Sequence, residues 1–218
     1  MVQRKQRMQR RPVFARFYSR VAGPALERAG MGEQRRRLLA GLSGDVVEIG
    51  VGNGLNFPHY PPAVRRVVAV EPEPRLRALA KDAARHCPAP VETVAAGAEQ
   101  LPAPDSSFDG AVACLVLCSV RDQAAALAEL YRVLRPGGRL RFFEHVQADS
   151  PGMRRVQRAV DATFWPRLCG GCHTGRDTAA AISRAGFRIT ELERFRFPET
   201  GPPSPADTHI LGTAEKSA

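Results

Sequence analysis

The sequence predicts an α/β fold: a single doubly wound domain around a mostly parallel, seven-stranded sheet. Two observations carry this. Short apolar runs alternate with helical patterns along the chain, and the first run empties into a glycine cluster, Gly50-Val51-Gly52-Asn53-Gly54. At 218 residues and 44% hydrophobic content, the chain fits one domain with a full core.

Taken in order, Phe14, Phe17, Tyr18, Val21 and Ala25 fall at helical spacing with Arg16 and Arg20 on other faces, which predicts an amphipathic helix over 14–26. The Arg- and Gln-rich dozen residues at the start have no apolar period and read as a solvated, frayed start. After the turn-like Ser43-Gly44-Asp45, strands are predicted at 46–49, 66–70, 91–95, 110–114, 139–143, 187–193 and 208–213. Helices are predicted at 75–85 and 122–134. The second has Asp122 as its N-cap, Leu127, Leu130, Val133 and Leu134 on one face, and Pro136-Gly137-Gly138 as its stop. Such alternation implies parallel pairing through right-handed crossovers, with a ligand site at the carboxyl ends of the strands. Two units are therefore expected, a basic helical segment or lid over 1–37 and a cofactor-binding domain over 38–218.

The formal net charge of +10 is concentrated at the start: residues 1–37 hold ten Arg and Lys5 against Glu27 and Glu33, leaving the rest near neutral. A groove tracking nucleic acid needs basic residues spread over one folded face, so no nucleic-acid partner is expected. Five cysteines at irregular spacing and no apolar signal region point to reduced thiols and a cytoplasmic setting. No run approaches the roughly 18 apolar residues of a membrane span. Membrane contact is expected to be peripheral at most, through residues 1–30.

Glu48-Ile49-Gly50-Val51-Gly52-Asn53-Gly54 follows directly on a strand. Glycines there let the backbone turn sharply and approach a cofactor closely. The spacing is G-x-G-x-G rather than the dinucleotide G-x-G-x-x-G, and a carboxylate precedes it. A carboxylate is awkward beside a pyrophosphate but suits the ammonium of a methionine moiety. The loop thus favours S-adenosylmethionine over a nicotinamide cofactor. A second strand ends in Glu71-Pro72, 21 residues after Gly50, where a carboxylate can accept both ribose hydroxyls.

With these motifs, Ala98-Glu99-Gln100-Leu101-Pro102, Ser107-Phe108-Asp109 and Arg132-Val133-Leu134-Arg135-Pro136-Gly137-Gly138 occur in the order found in class I methyltransferases, which residues 46–146 resemble. The resemblance implies S-adenosylmethionine as cofactor and S-adenosylhomocysteine as product. It assigns Glu48, Gly50, Gly52, Asn53, Gly54, Asn56, Glu71, Pro72, Cys114 and Leu115 to the cofactor, and Ala98 and Glu99 to its adenine. A narrower resemblance rests on Asn56-Phe57, Tyr60-Pro61-Pro62, the 115–120 segment, Glu144-His145-Val146, Gly171-Cys172-His173 and Arg176-Asp177. These are similar to methyltransferase-like proteins that include alkyl thiol S-methyltransferases, whose close relatives include phospholipid N-methyltransferases.

His145, Tyr18 and His173 are the candidate catalytic residues. Phe17, Tyr18, Cys118, His145, Trp165, Cys172 and His173 are the candidate acceptor-binding residues. For His145, a proton-accepting and a structural role stand side by side, and for Trp165 core packing is the stronger reading. Cys169-Gly170-Gly171-Cys172-His173 spells a pattern shared by haem attachment, zinc and redox sites. Without an export signal or a second cysteine pair, it reads as a glycine turn, and no metal is expected. The function expected is methyl transfer to a small molecule, with a thiol favoured. N- or O-methylation, including of a lipid headgroup, is the alternative, and a non-catalytic cofactor-binding protein is the remote one.

Overall fold

A computed structural model describes residues 11–217; residues 1–10, where most of the solvated start is expected, lie outside them. Seven strands form one sheet: β1 (Gly44–Ile49), β2 (Val64–Val70), β3 (Val91–Val94), β4 (Phe108–Cys114), β5 (Leu134–His145), β6 (Phe187–Arg196) and β7 (Thr208–Lys216). Their spatial order is β3-β2-β1-β4-β5-β7-β6, with β7 antiparallel to both β5 and β6. The first five strands pair parallel, and the order of strand addition reverses at β1, with β2 and β3 on one side and β4 and β5 on the other. That reversal beside β1 opens the crevice in which such folds bind ligands.

Alternate residues of the central strands feed two cores. Val47, Ile49 and Phe142 face α5 (Gln123–Val133) and α8 (Thr178–Arg184). Val46, Val67 and Phe143 face α3 (Met31–Leu39) and α4 (Pro74–Ala83). Burial on both faces explains why β1 reads as a continuous apolar run rather than an alternating one. Helix starts obey local capping chemistry. Glu73 accepts from the Leu76 N–H at 2.8 Å before Pro74 opens α4, and Asp122 accepts from the Ala125 N–H at 3.0 Å at the start of α5. The helix over 122–134 ends at Val133 and passes directly into β5, so Pro136-Gly137-Gly138 lies within a strand.

The N-terminal helix departs from a simple amphipathic rod. It consists of α1 (Pro12–Phe17), a π-helical turn (Tyr18–Ala22) and α2 (Gly23–Arg28). Phe14, Ala15 and Tyr18 turn inward, whereas Phe17 and Val21, expected on the same inner face, are 48% and 52% exposed. The inner face centres on fully buried Ala15, and Phe17 projects well off it at about 100° per residue. Arg16 and Arg20 are exposed as expected, but Arg11 is half-buried against the body. The expected boundary at residue 37 falls inside α3. After β5 the chain forms α6 (Pro151–Ala162), α7 (Trp165–Leu168) and the Cys169–His173 turn before α8. No helix among the described residues is long and apolar enough to cross a membrane.

Candidate active site

A cavity of about 1010 Å³ opens over the carboxyl ends of β1, β2 and β4. Gly50, Gly52, Glu71 and Pro72 line it from β1 and β2. Ala98, Glu99, Cys114 and Leu115 line it from the segments after β3 and at the end of β4. Gly50 and Gly52 adopt φ of 60° and 59°, which L side chains rarely adopt. Protein also occupies their missing side-chain space. A Cβ on Gly50 would lie 2.3 Å from Val116 Cγ2, and one on Gly52 would lie 3.3 Å from the Tyr18 ring.

Glu71 is 5% exposed, and its oxygens accept from the Gly52 and Glu73 N–H groups, each at 2.9 Å. Burial pushes its carboxyl up to about 7, against the pull of those two hydrogen bonds. A carboxylate offers about four lone-pair sites. Two remain for a diol. Glu99 accepts from the Arg121 N–H at 3.0 Å and so ties the cavity edge to the start of α5.

Four residues assigned to the cofactor do not line the cavity. Glu48 is 2% exposed beneath the glycine loop, accepting from Asn56 Nδ2 at 2.6 Å and the Tyr60 hydroxyl at 2.8 Å. Burial raises its carboxyl to about 6, partly offset by those hydrogen bonds. These two bonds hold it beneath the loop, outside the cavity wall. Asn56 also accepts from Arg35 Nη1 at 2.6 Å, and Arg35 pairs with Glu27 at 2.8 Å. Gly54 is covered by the Phe57 ring, while Asn53 Oδ1 is buried without a hydrogen-bond partner. The four support the loop from below. Arg35, 3% exposed and 3.6 Å from Cys114 Sγ, is a site residue that the sequence conceals within the run Arg35-Arg36-Arg37.

Glu144 organises the opposite wall. Fully buried at the end of β5, it accepts from the N–H groups of Val116 (3.0 Å), Leu117 (2.8 Å) and Cys118 (3.1 Å). This holds the segment that leaves β4 at Leu115, whose φ of 54° is unusual for a side-chain-bearing residue. The segment passes over Gly50. Phe14 and Tyr18, stacked with centroids 5.7 Å apart, close the mouth, Phe14 against Gly170 and Tyr18 against Gly52.

Of the candidate acceptor and catalytic residues, only Tyr18 lines this cavity. Burial raises its phenol above the ordinary range, with Arg35 opposing, and burial likewise pushes the Cys114 thiol up to about 12. His173 lines an adjoining cavity of about 600 Å³ that shares Arg11, Phe14, Ser119 and Val120 with the first. Phe17 faces away from both. Cys118, His145, Trp165 and Cys172 line neither cavity. His145 Nδ1 is 3.3 Å from Cys172 Sγ. The Cys172 thiol is held below its ordinary range by hydrogen bonding with Cys118 and His145, against the effect of burial, whereas Cys118 is pushed up by the same pairing and by burial. Cys169, the sequence partner of Cys172 in C-x-x-C, takes no part in this cluster.

The described geometry fits an adenosyl cofactor: spare acceptor capacity on a buried carboxylate, a glycine loop at strand ends, and a cavity of sufficient volume. The methyltransferase domain family matches residues 47–142. Thiol S-methyltransferase TMT1B of Mus musculus is 41% identical over 187 residues, covering 82% of this chain and 74% of that protein. Thiol S-methyltransferase TMT1A of Homo sapiens is 38% identical over 166 residues, covering 73% and 67%. In fold, the chain matches N-methyltransferase NodS from Bradyrhizobium japonicum in complex with S-adenosyl-l-homocysteine, with a TM-score of 0.62 at 19% identity over 85% of each chain. The chain therefore belongs to the class I S-adenosylmethionine-dependent methyltransferases, with the thiol S-methyltransferase group among its relatives, and S-adenosylmethionine is its cofactor.

Proposed function

We propose that the enzyme methylates the sulfur of a small thiol. The observation that carries this is the chemistry of the acceptor end, where Arg11 lines the cavity together with Phe14, Tyr18, Val120 and Gly170. The two acidic hydrogens there, on Tyr18 and Cys114, sit on groups held above their ordinary pKa, so neither group takes up a proton near neutral pH. An acceptor must then lose its proton to water. Thiols do so more readily, at pKa about 8–9, whereas phenols and alkyl amines sit near 10. Arginine favours a thiolate beside it, and the aromatic mouth strips its water. The relatives named as thiol S-methyltransferases support the same reading.

The cofactor supplies an electrophilic methyl group on a sulfonium. Glu71 accepts the ribose hydroxyls, Ala98 and Glu99 bound the adenine, and the Gly50–Gly52 backbone receives the amino-acid end. Positioning and exclusion of water then do most of the work, as expected for an already strong nucleophile. The N-terminal helix is the lid, acting through Phe14 and Tyr18. A transfer assay over small thiols, dithiols, amines and phenols tests this. The expected result is preference for thiols, with kcat/KM rising toward the acceptor's own pKa; turnover of amines with thiols inert would overturn it.

A second reading has its own observation. Val13, Phe17 and Val21, spaced four residues apart beside exposed Arg16 and Arg20, form an apolar and basic outer stripe. Such a stripe suits an anionic membrane surface and a lipid-borne acceptor. Co-sedimentation with anionic vesicles, lost in Phe17→Glu, would favour it.

A further inference from the structure

We propose that Cys118, His145 and Cys172 form a binding site for a thiophilic, tetrahedral metal ion of the zinc class. The three residues come from separate segments: the wall segment after β4, the last residue of β5 and the turn after α7. Their two sulfurs and one ring nitrogen all lie within 4.8 Å of one another, and His145 Nδ1 is 3.3 Å from Cys172 Sγ. Zinc–sulfur bonds of about 2.3 Å and zinc–nitrogen bonds of about 2.0–2.1 Å place neighbouring ligand atoms of a tetrahedron roughly 3.5–3.8 Å apart. The cluster already has that scale. Two thiols and an imidazole select a borderline-soft ion over magnesium or calcium, which take oxygen ligands.

The surroundings supply a second, independent pointer. The indole Nε1 of Trp165, close to Cys172, is buried without a hydrogen-bond partner. An N–H directed at a metal-bound thiolate is the kind of outer contact that orients such ligands. His209, 2% exposed, packs edge-to-face on the His145 ring at 4.6 Å and fixes its plane. Cys118 and Cys172 are 1% and 4% exposed, so neither is a surface thiol.

Three protein ligands leave a fourth position for water or a small ligand. Ser119 Oγ lies 3.4 Å from Cys118 Sγ and belongs to the wall of both cavities. The ion would therefore sit directly behind the acceptor wall and clamp the Gly170–Cys172 turn, against which Phe14 closes. This is a positioning role, and it holds whatever the acceptor is.

The full chain is produced with zinc in the medium, purified under a thiol reductant, dialysed and assayed for metal. About one zinc ion per chain is expected. Replacement by cobalt(II) should give the visible bands of a tetrahedral site and a thiolate-to-cobalt charge-transfer band. Cys169→Ser and Cys87→Ser should keep the metal, whereas Cys118→Ser and Cys172→Ser should lose it by at least about tenfold. Should the latter two misfold, the cobalt spectrum of the wild-type protein decides alone. Folded, reduced wild-type protein without zinc and without a tetrahedral cobalt spectrum would overturn the site. So would a Cys118–Cys172 disulfide as the resting form, or full metal content in folded Cys118→Ser and Cys172→Ser.

Discussion

Glu71 offers the sharpest quantitative test, because one buried carboxyl links cofactor affinity to pH. Burial holds it at about 7 in the free protein, so the groups that would accept ribose hydroxyls are half protonated near neutrality. If only the carboxylate accepts both hydroxyls, the apparent affinity scales with its ionised fraction. Between about pH 8 and about pH 6 that fraction falls from roughly nine-tenths to one-tenth, weakening S-adenosylmethionine roughly tenfold, or about 1.4 kcal/mol. Titration calorimetry across this range reads it directly. Glu71→Gln should bind more weakly at high pH, by roughly 1–3 kcal/mol, and show a flat profile. The linkage to folding runs the other way. A carboxyl whose pKa is raised in the fold binds a proton there that the unfolded chain has already lost, so the cofactor-free protein loses stability as pH rises from about 4.5 through about 7. Glu71→Gln should recover part of that loss. A wild-type affinity independent of pH, or a Glu71→Gln protein with unaltered affinity, would refute the assignment of Glu71 to the ribose.

Other expectations follow from the same contacts. Glu144→Ala leaves the Val116, Leu117 and Cys118 N–H groups without their acceptor and should destabilise the fold by about 3 kcal/mol, read as a lower denaturation midpoint at unchanged slope. Gly50→Val places its Cβ 2.3 Å from Val116 and demands a positive φ, so cofactor binding should fail before the fold does; calorimetry and circular dichroism separate the two. Removing residues 1–22, rather than 1–30, spares the Glu27–Arg35 pair and should abolish turnover of a soluble acceptor in a folded protein, whereas reversing the charges of Arg16 and Arg20 should change turnover little.

The sheet was legible because its signals are local. Each strand is a short apolar run, and the parallel core makes β1 buried on both faces, so six of the seven predicted strands lie within the observed ones and the third, 91–95, overruns β3 by one residue. Glu71 and the first two glycines were placed by strand ends, and they line the cavity together with Cys114 and Leu115, which the family resemblance supplied. What the sequence hid depends on three-dimensional partners. Glu48 reads as a carboxylate in the cavity wall, yet it is buried beneath the loop and bonded to Asn56 and Tyr60. Arg35 reads as one of three solvated arginines, yet it is buried beside Cys114. Phe17 fits the helical period, but the inner face is set by Ala15, the residue small enough to let the helix approach. Cys172 pairs by eye with Cys169, three residues away, whereas the fold brings it to Cys118 and His145, which no spacing rule anticipates.

The glycines couple the N-terminal helix to the glycine loop in a way that the motif alone does not convey. A sequence reading gives their missing side chains to the cofactor. In the structure the vacated space beside Gly50 holds Val116, that beside Gly52 holds the Tyr18 ring, and that beside Gly170 holds the Phe14 ring. Each glycine is thus a socket for a neighbouring segment, and the two sockets for the N-terminal helix, at Gly52 and Gly170, both line the cavity. Docking of that helix needs Gly52 and Gly170 to be correctly placed at once. Gly52 also donates to Glu71 at 2.9 Å, so the strand end proposed to hold the ribose, the glycine loop and the lid share one chain of contacts. A substitution at Gly170 should then raise KM for the acceptor while leaving cofactor affinity in the closed core intact, whereas one at Gly52 should disturb both. Equal effects from the two substitutions on cofactor binding would break this argument, because Gly170 makes its contact only through the lid.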